Sequence, residues 1–348
     1  MLVEIGTGAD ATRTQILHLA AEQNLLASVM DSGSGGHVIS VGGSLEGDIA
    51  SLPGVLRVQM KHRPFAMASL DARPRSTVTV GDVVIGGQKP VMIAGPCSVE
   101  GREVLIDQAR QAQAAGADLL RGGAFKPRTS PYSFQGHGEL GLQMLADARE
   151  ITGLPVVTEV MEPDQVELVS SYADMLQVGS RNMANFSLLK ACGRSDKPVL
   201  LKRGFSATLE EFLMSAEYIM AHGNQNVVLC ERGIRTSDAA FRFNLDLNIV
   251  PGVRAVSHLP IIVDPSHGTG RRELVHRMAL AGIAAGADGL AIEVHPDPDN
   301  ALSDGMQTIT PAELSRIVRR VAALSDVLAA TEGELLDVMP FARLGATA

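Results

Sequence analysis

Eight short apolar runs, each ending at or beside a reactive or charged side chain, constrain this chain more than anything else in it. They fall at 91–95, 118–120, 156–159, 175–179, 199–202, 227–231, 261–264 and 289–293. Runs this short and this continuously apolar read as strands buried on both faces of a parallel sheet. Between them, 103–115, 140–152, 209–221 and 272–285 place apolar residues at helical spacing. Segment 311–324, with Pro311 at a helix-start position, follows the last run. Eight βα units in roughly 250 residues have the count and size of an α/β TIM (β/α)8 barrel. A doubly wound sheet would more often show a glycine-rich dinucleotide fingerprint after its first strand. Ala94-Gly95-Pro96-Cys97-Ser98 stands there instead, so the barrel is the expected fold.

Residues 1–61 read as a separate ferredoxin-like βαββαβ domain. Strand 2–5 leads to helix 11–23, and strands 26–30 and 37–41 are joined by Ser32-Gly33-Ser34-Gly35-Gly36, a hairpin signal. A short helix at 47–52 precedes strand 55–60. About sixty residues make a marginal core, so this unit is expected to pack on something, as a ligand-binding or oligomerising module. Residues 62–76 carry Arg63-Pro64 and Arg73-Pro74-Arg75 with little periodicity and read as a linker. A hairpin, 77–80 and 83–85 around Gly81-Asp82, opens the barrel domain at 77–325; 326–348 reads as a C-terminal tail.

Composition removes several functions. The 348 residues are 45% hydrophobic with a formal charge of −9, which suits a globular protein and argues against a general nucleic-acid binder. No membrane span or secretory signal is readable, so the expected compartment is the cytoplasm. The three cysteines (Cys97, Cys192, Cys230) lack Cys-x-x-Cys spacing, and no disulfide framework is expected. Any anion site must be a local cluster of cations.

Such a cluster stands at the strand ends, where barrels carry their chemistry. In order these ends give Cys97, Arg121 with Lys126, Glu159, Arg181, Lys202 with Arg203, Glu231 with Arg232, Asp264 with His267, and Glu293 with His295. Arg121, Lys126 and Arg128 sit in Arg121-Gly122-Gly123-Ala124-Phe125-Lys126-Pro127-Arg128-Thr129-Ser130. Guanidinium forks, hydroxyls and a Gly-Gly backbone suit phosphate and carboxylate oxygens. Cations converging on one mouth describe a pocket for more than one such group. Cys97, His267 and Glu293 come from the first, seventh and eighth strands, neighbours once the barrel closes, and Asp304 can reach the same point. One thiolate, one imidazole and two carboxylates suit Mn, Fe, Co, Zn or Cu better than Mg. His295 and Asp297 are second choices as ligands, and Cys192 and Cys230 belong in the core.

With these residues in view the barrel resembles the 3-deoxy-D-arabino-heptulosonate-7-phosphate (DAHP) synthases, in the microbial type I branch with an N-terminal ferredoxin-like domain. The matching pieces are Ala94-Gly95-Pro96-Cys97-Ser98, the 121–130 stretch, Gly179-Ser180-Arg181-Asn182-Met183, Leu201-Lys202-Arg203-Gly204, Glu231-Arg232-Gly233 and Asp264-Pro265-Ser266-His267. The resemblance covers about 77–325. It implies condensation of phosphoenolpyruvate with erythrose 4-phosphate, with loss of phosphate, at the entry to the shikimate pathway. It implies one divalent metal ion per subunit, manganese first, on Cys97, His267, Glu293 and Asp304. It assigns phosphoenolpyruvate to Arg121, Lys126, Arg181, Lys202 and Arg232, and erythrose 4-phosphate to Pro127, Arg128, Thr129 and Ser130. Lys126 is then catalytic beside the metal, and Glu159 is a candidate for orienting a water. A homotetramer, and feedback inhibition by tyrosine or phenylalanine through residues 1–61, are also implied.

Two rival readings share this barrel. A 3-deoxy-manno-octulosonate-8-phosphate synthase would use arabinose 5-phosphate on the same barrel. That family typically reads Lys-Ala-Asn-Arg-Ser-Ser where this chain has Lys126-Pro127-Arg128-Thr129-Ser130, which favours the four-carbon aldose. A catalytically silent phosphosugar-binding barrel is the other, and the intact set of cations and ligands speaks against it.

Overall fold

A computed structural model describes residues 1–60, 63–126, 130, 132, 134–238 and 240–335, of which 331–335 by backbone alone. Its larger part is a closed barrel of eight parallel strands: β7 (Val91–Gly95), β8 (Leu119–Arg121), β9 (Val156–Val160), β10 (Met175–Val178), β11 (Val199–Lys202), β12 (Val227–Glu231), β13 (Ile261–Val263) and β14 (Gly289–Glu293). β14 closes on β7 with Glu293 opposite Gly95, which makes the first and last strands neighbours.

Alternation along the strands separates two apolar layers. Ile93, Leu119, Val157, Met175, Leu200, Val228, Ile262 and Ala291 form one cluster inside the barrel. Their sequence neighbours, including Ala94, Leu120, Val156, Leu201 and Leu229, join the cluster that packs on the helices. These are α2 (Arg102–Ala114), α3 (Glu139–Thr152), α4 (Val166–Tyr172), α5 (Phe186–Gly193), α6 (Leu209–Met220), α7 (Ile249–Val256), α8 (Pro265–Thr269), α9 (Arg272–Ala284) and α10 (Pro311–Leu335). The hairpin β5 (Val78–Val80) and β6 (Val83–Ile85) adds Val78, Val80 and Ile85 to the interior cluster, plugging the end opposite the charged mouth. Helix α10 runs on to Leu335, so the expected tail from 326 begins as helix.

The N-terminal sheet is antiparallel with order β2-β3-β1-β4, from β1 (Leu2–Ile5), β2 (Ala27–Asp31), β3 (His37–Val41) and β4 (Val55–Gln59). That is the ferredoxin-like strand order, with α1 (Asp10–Glu22) crossing one face. The helix expected at 47–52 is only a 3-10 turn, Ile49–Ser51. Pro53 explains the loss, because it forces Leu52 into an extended conformation (φ −65°, ψ 141°). Val3, Ile5, Ile39 and Val41 pack beneath α1, whereas Leu2, Met30 and Val38 join the barrel's outer cluster. The Ser28 hydroxyl also donates to the Ala221 carbonyl at 2.9 Å, and Gln225 Nε2 to the Val29 carbonyl at 2.7 Å.

The stretch read as a linker is a buried strap. Phe65, Ala66, Met67 and Ala68 enter the main core. The Glu217 carboxylate accepts from the Met67 and Ala68 amides at 3.0 and 2.9 Å. Ser257 Oγ donates to the Ala68 carbonyl. A segment without periodicity can be buried once its backbone groups find partners, and here loop and helix side chains supply them.

His258 pins the same strap. The Met67 carbonyl, 2.7 Å from Nε2, can only accept, so Nε2 carries the hydrogen and Nδ1 receives the Ser76 hydroxyl at 2.8 Å. Burial lowers its pKa to about 4. The unfolded chain takes up this proton near pH 6.5, so stability is full above that value and falls as pH drops toward 4, by about 3 kcal/mol. His258→Gln should flatten this limb in urea titrations between pH 4 and 7; an unchanged slope would refute the assignment.

Candidate active site

Local folding sets each group. In Asp264-Pro265-Ser266-His267, Asp264 is the N-cap of α8 and accepts from the His267 amide at 2.9 Å, while Pro265 has the fixed φ of a first helical position. Asp264 Oδ2 also accepts from His267 Nδ1 at 2.8 Å, so Nδ1 bears a hydrogen and Nε2 is the nitrogen turned to the site, its lone pair available to a ligand when the ring is neutral. That nitrogen is 3.4 Å from Glu293 Oε1. The Ser266 hydroxyl accepts from the Glu293 amide at 3.0 Å, and Gln307 Nε2 donates to Glu293 Oε2 at 2.7 Å. Asp304, at the start of the 3-10 turn that carries Gln307, has φ +51°, a left-handed conformation that aspartate tolerates.

Cys97 follows β7 and donates its thiol hydrogen to Asp304 Oδ2, 3.2 Å away. Lys126 Nζ stands 2.9 Å from the sulfur and 3.0 Å from the Cys97 carbonyl. Gly123 makes this approach possible: a Cβ there would lie 2.8 Å from both the Cys97 carbonyl oxygen and Lys126 Cδ. One ligand atom each of Cys97, Glu293 and Asp304 lies within 4.8 Å of the others. His267 meets this trio through Glu293. Glu293 Oε1 is buried without a hydrogen bond, although Arg121 NH1 is 3.1 Å away. A thiol, an imidazole lone pair and two carboxylates around such an orphaned oxygen fit a divalent metal ion.

The charges are tuned by this crowding. Burial, then Glu293, pushes the Cys97 thiol up to about 12. Burial alone would lower Lys126, but Cys97 and Glu293 outweigh it and raise its pKa, so it stays an ammonium. Burial opposes ionisation of Glu293 and Asp304 too; His267 with Arg121 for the first, and His267 with the Cys97 hydrogen bond for the second, hold both below their ordinary values.

Above this floor opens a cleft of about 320 Å³ lined by Lys126, Glu159, Arg181, Lys202, Arg232 and Ser130 among others. Lys202 Nζ is 2.5 Å from Asp264 Oδ2 and Arg121 is buried against Glu293, so these two cations already face carboxylates. Arg181 and Arg232 have no ion pair among the described residues. Glu159 Oε2 accepts from Gln177 Nε2 at 3.3 Å. Pro127, Arg128 and Thr129 lie outside the described residues. His295 and Asp297 serve the loop instead: His295 Nδ1 accepts from the Asp297 amide at 2.9 Å, with Nε2 3.4 Å from Glu100. Cys192 and Cys230 are buried in the core, with thiols raised to about 12 by burial.

Arg203 and Glu231 sit on the other side of the wall. Alternation sends them outward, where Arg203 NH1 bridges Glu231 Oε2 at 3.0 Å and Asp246 Oδ2 at 2.9 Å. Gln177, Phe205 and Arg242 also line the cleft and Phe243 stacks on Phe205, and sequence motifs mark none of the four. Gln177 alternates with Met175 on the interior face, a signal that strand parity carries; the others lie in loops without periodicity.

Residues 65–329 match the DAHP synthetase I family. The chain belongs to that family. Its enzyme class is that of the DAHP synthases, which are transferases. A curated relative, the phospho-2-dehydro-3-deoxyheptonate aldolase of Thermotoga maritima, is 51% identical over 267 residues, covering 76% of this chain and 79% of its own. The 2-dehydro-3-deoxyphosphooctonate aldolase of Magnetococcus marinus is 34% identical and covers 72% of this chain and 93% of its own. The solved Thermotoga maritima DAHP synthase superposes with a TM-score of 0.75 at 44% identity, over 94% of this chain and 97% of that one. A truncated form of the Thermotoga enzyme gives 0.72 at 48%, over 76% of this chain and 97% of that one. No helix among the described residues is long and apolar enough to cross a membrane.

Proposed function

We propose that this chain joins phosphoenolpyruvate to erythrose 4-phosphate and releases phosphate, as a 3-deoxy-7-phosphoheptulonate synthase. The observation that carries the reading is the pairing of a cation-lined cleft with a thiol–carboxylate cluster at its floor. Arg121, Lys126, Arg181, Lys202 and Arg232 bind the enol phosphate; Pro127, Arg128, Thr129 and Ser130 receive the aldose phosphate. Cys97, His267, Glu293 and Asp304 hold one divalent ion, manganese first among the borderline metals. When bound, the ion supplies Lewis-acid polarisation of the aldehyde.

The chain's own groups do the rest. Lys126, held as an ammonium, donates to the oxygen that gains negative charge as C3 of the enol attacks the aldehyde carbon. C2 then takes up water and its bond to the phosphate oxygen breaks. Glu159, with Gln177 fixing one oxygen, orients that water. Of the two curated relatives, the heptonate enzyme at 51% identity supports the four-carbon aldose over the octonate enzyme at 34%. The assay is phosphate release from phosphoenolpyruvate with erythrose 4-phosphate or arabinose 5-phosphate, with and without a chelator. Release that needs erythrose 4-phosphate and metal is expected. Dependence on arabinose 5-phosphate would overturn the aldose, and release independent of both sugars would leave a silent barrel.

The assembly is a cytoplasmic homotetramer inhibited by tyrosine or phenylalanine through residues 1–61. Deleting 1–61 should keep turnover and abolish that inhibition. Its melting temperature should drop by several degrees, because Leu2, Met30 and Val38 no longer cover the barrel. A truncation inhibited as strongly as the full chain would place the effector in the barrel.

A further inference from the structure

Among the cleft cations, Arg232 is in an unusual position for a buried charge. It is 5% exposed, makes no ion pair among the described residues, and its NH1 has no hydrogen-bond partner. Burial pulls its pKa down. Buried guanidinium groups normally rest on a carboxylate, as Arg121 does on Glu293 and Arg203 on Glu231. What Arg232 rests on is aromatic. Its guanidinium carbon lies 4.1 Å from the Phe243 ring centroid and 5.1 Å from that of Phe205.

Phe205 and Phe243 themselves stack, with centroids 5.1 Å apart and planes 20° from parallel. Phe205 also carries Arg181 at 5.7 Å and Arg235 at 5.0 Å, and Phe243 carries Arg242 at 5.3 Å. The chain has only nine phenylalanines and no tryptophan, so two stacked at this mouth, one faced by three guanidiniums and the other by two, form a specific arrangement. The backbone ties the pair together. The Arg235 amide donates to the Phe205 carbonyl at 2.7 Å, and Ile234 and Asn244 exchange hydrogen bonds at 3.0 and 2.8 Å to fold the loop back. Gly233 has φ +90°, and a Cβ there would lie 2.9 Å from Phe243 Cβ, so the ring can sit beside Arg232 only next to a glycine.

We propose that the Phe205–Phe243 stack is a positioning element of the phosphate-binding pocket, holding Arg232 and Arg181 by their π-faces in place of a carboxylate. The difference is chemical. A carboxylate would take up the N–H donors in the guanidinium plane and cancel its charge. A ring face attracts the cation and leaves those in-plane donors free for a phosphate dianion. Phe205 and Phe243 need not touch the substrate; they act through the arginines.

The inference rests on the proposed binding of phosphoenolpyruvate, and the test separates the two. Calorimetric titration of phosphoenolpyruvate into the full-length wild-type protein comes first; absence of binding would sink the functional reading itself. Given wild-type binding, Phe243→Leu should weaken affinity about threefold to thirtyfold, the range expected for a desolvated cation–π contact. The same change should appear in KM for phosphoenolpyruvate with kcat moved much less. Phe243→Tyr keeps a π-face and should restore the wild-type value; Phe205→Leu should act in the same direction, more weakly. Wild-type affinity in Phe243→Leu, or a Tyr variant as weak as the Leu variant, overturns the role. A fall in kcat alone does so too.

Discussion

Cys97→Ala is expected to lose turnover by about 10³-fold or more while the protein stays folded. The size follows from what the sulfur does. It is one of three ligand atoms, with those of Glu293 and Asp304, that lie within 4.8 Å of one another, and Asp304 Oδ2 and Lys126 Nζ stand 3.2 and 2.9 Å from it. Without it, the proposed ion loses the soft ligand that favours borderline metals, and aldehyde polarisation goes with it. Lys126 would remain nearby as a cation, held by the Cys97 carbonyl at 3.0 Å, but would lose its 2.9 Å contact with the sulfur. The fold should tolerate the change, since the thiol is a small group whose hydrogen-bond partners, Asp304 and Lys126, belong to the site. Three measurements decide: metal content per subunit, kcat with saturating substrates, and the melting curve. Loss of bound metal and of kcat with a melting point within a few degrees supports the assignment. Robust turnover of the variant in a chelator would refute it.

The barrel and its charged rim were legible because parallel strands buried on both faces leave short apolar runs, and the residue ending each run is chosen by chemistry. That logic singled out Cys97, Lys126, Lys202, His267 and Glu293, and the structure gathers all five at the cleft or its floor. It did not sort which of two adjacent charges points inward. Lys202 and Arg232 face the cleft, while Arg203 and Glu231, one residue away, face the helices; only alternation, applied residue by residue, separates them. The strap at 63–76 escaped because its burial depends on Glu217, Ser257 and His258, which are distant in sequence. The role of Asp264 in aiming His267 is local and readable as a helix cap. The π-stack was beyond reach, since Phe205 and Phe243 lie in different loops that carry no repeat.

Arg203→Ala should destabilise the fold by about 3–5 kcal/mol, because it leaves a fully buried carboxylate without its partner. Glu231 has no solvent exposure, and burial raises its pKa even with Arg203 in place. Its Oε1 accepts from the Gly233 and Asp246 amides at 2.6 and 3.3 Å, but these backbone donors cannot replace a guanidinium. The pH dependence gives the mechanism a signature. A carboxyl whose folded pKa is raised stabilises the fold only while protonated, and stability falls as pH rises from the unfolded value near 4.5 through the folded one. Removing Arg203 pushes the folded value higher still. The deficit of the variant relative to wild type should therefore be largest at neutral pH and shrink toward pH 5. Pairing the change with Glu231→Gln removes the buried charge and should recover much of the loss, which a merely steric effect of the missing side chain would not allow. Denaturant unfolding of the wild type, both single variants and the double variant at pH 5 and 7.5 measures all of this. A deficit that does not depend on pH, or a double variant no better than Arg203→Ala, would mean that the outward-facing pair does not brace the wall from which Lys202 and Arg232 reach the cleft.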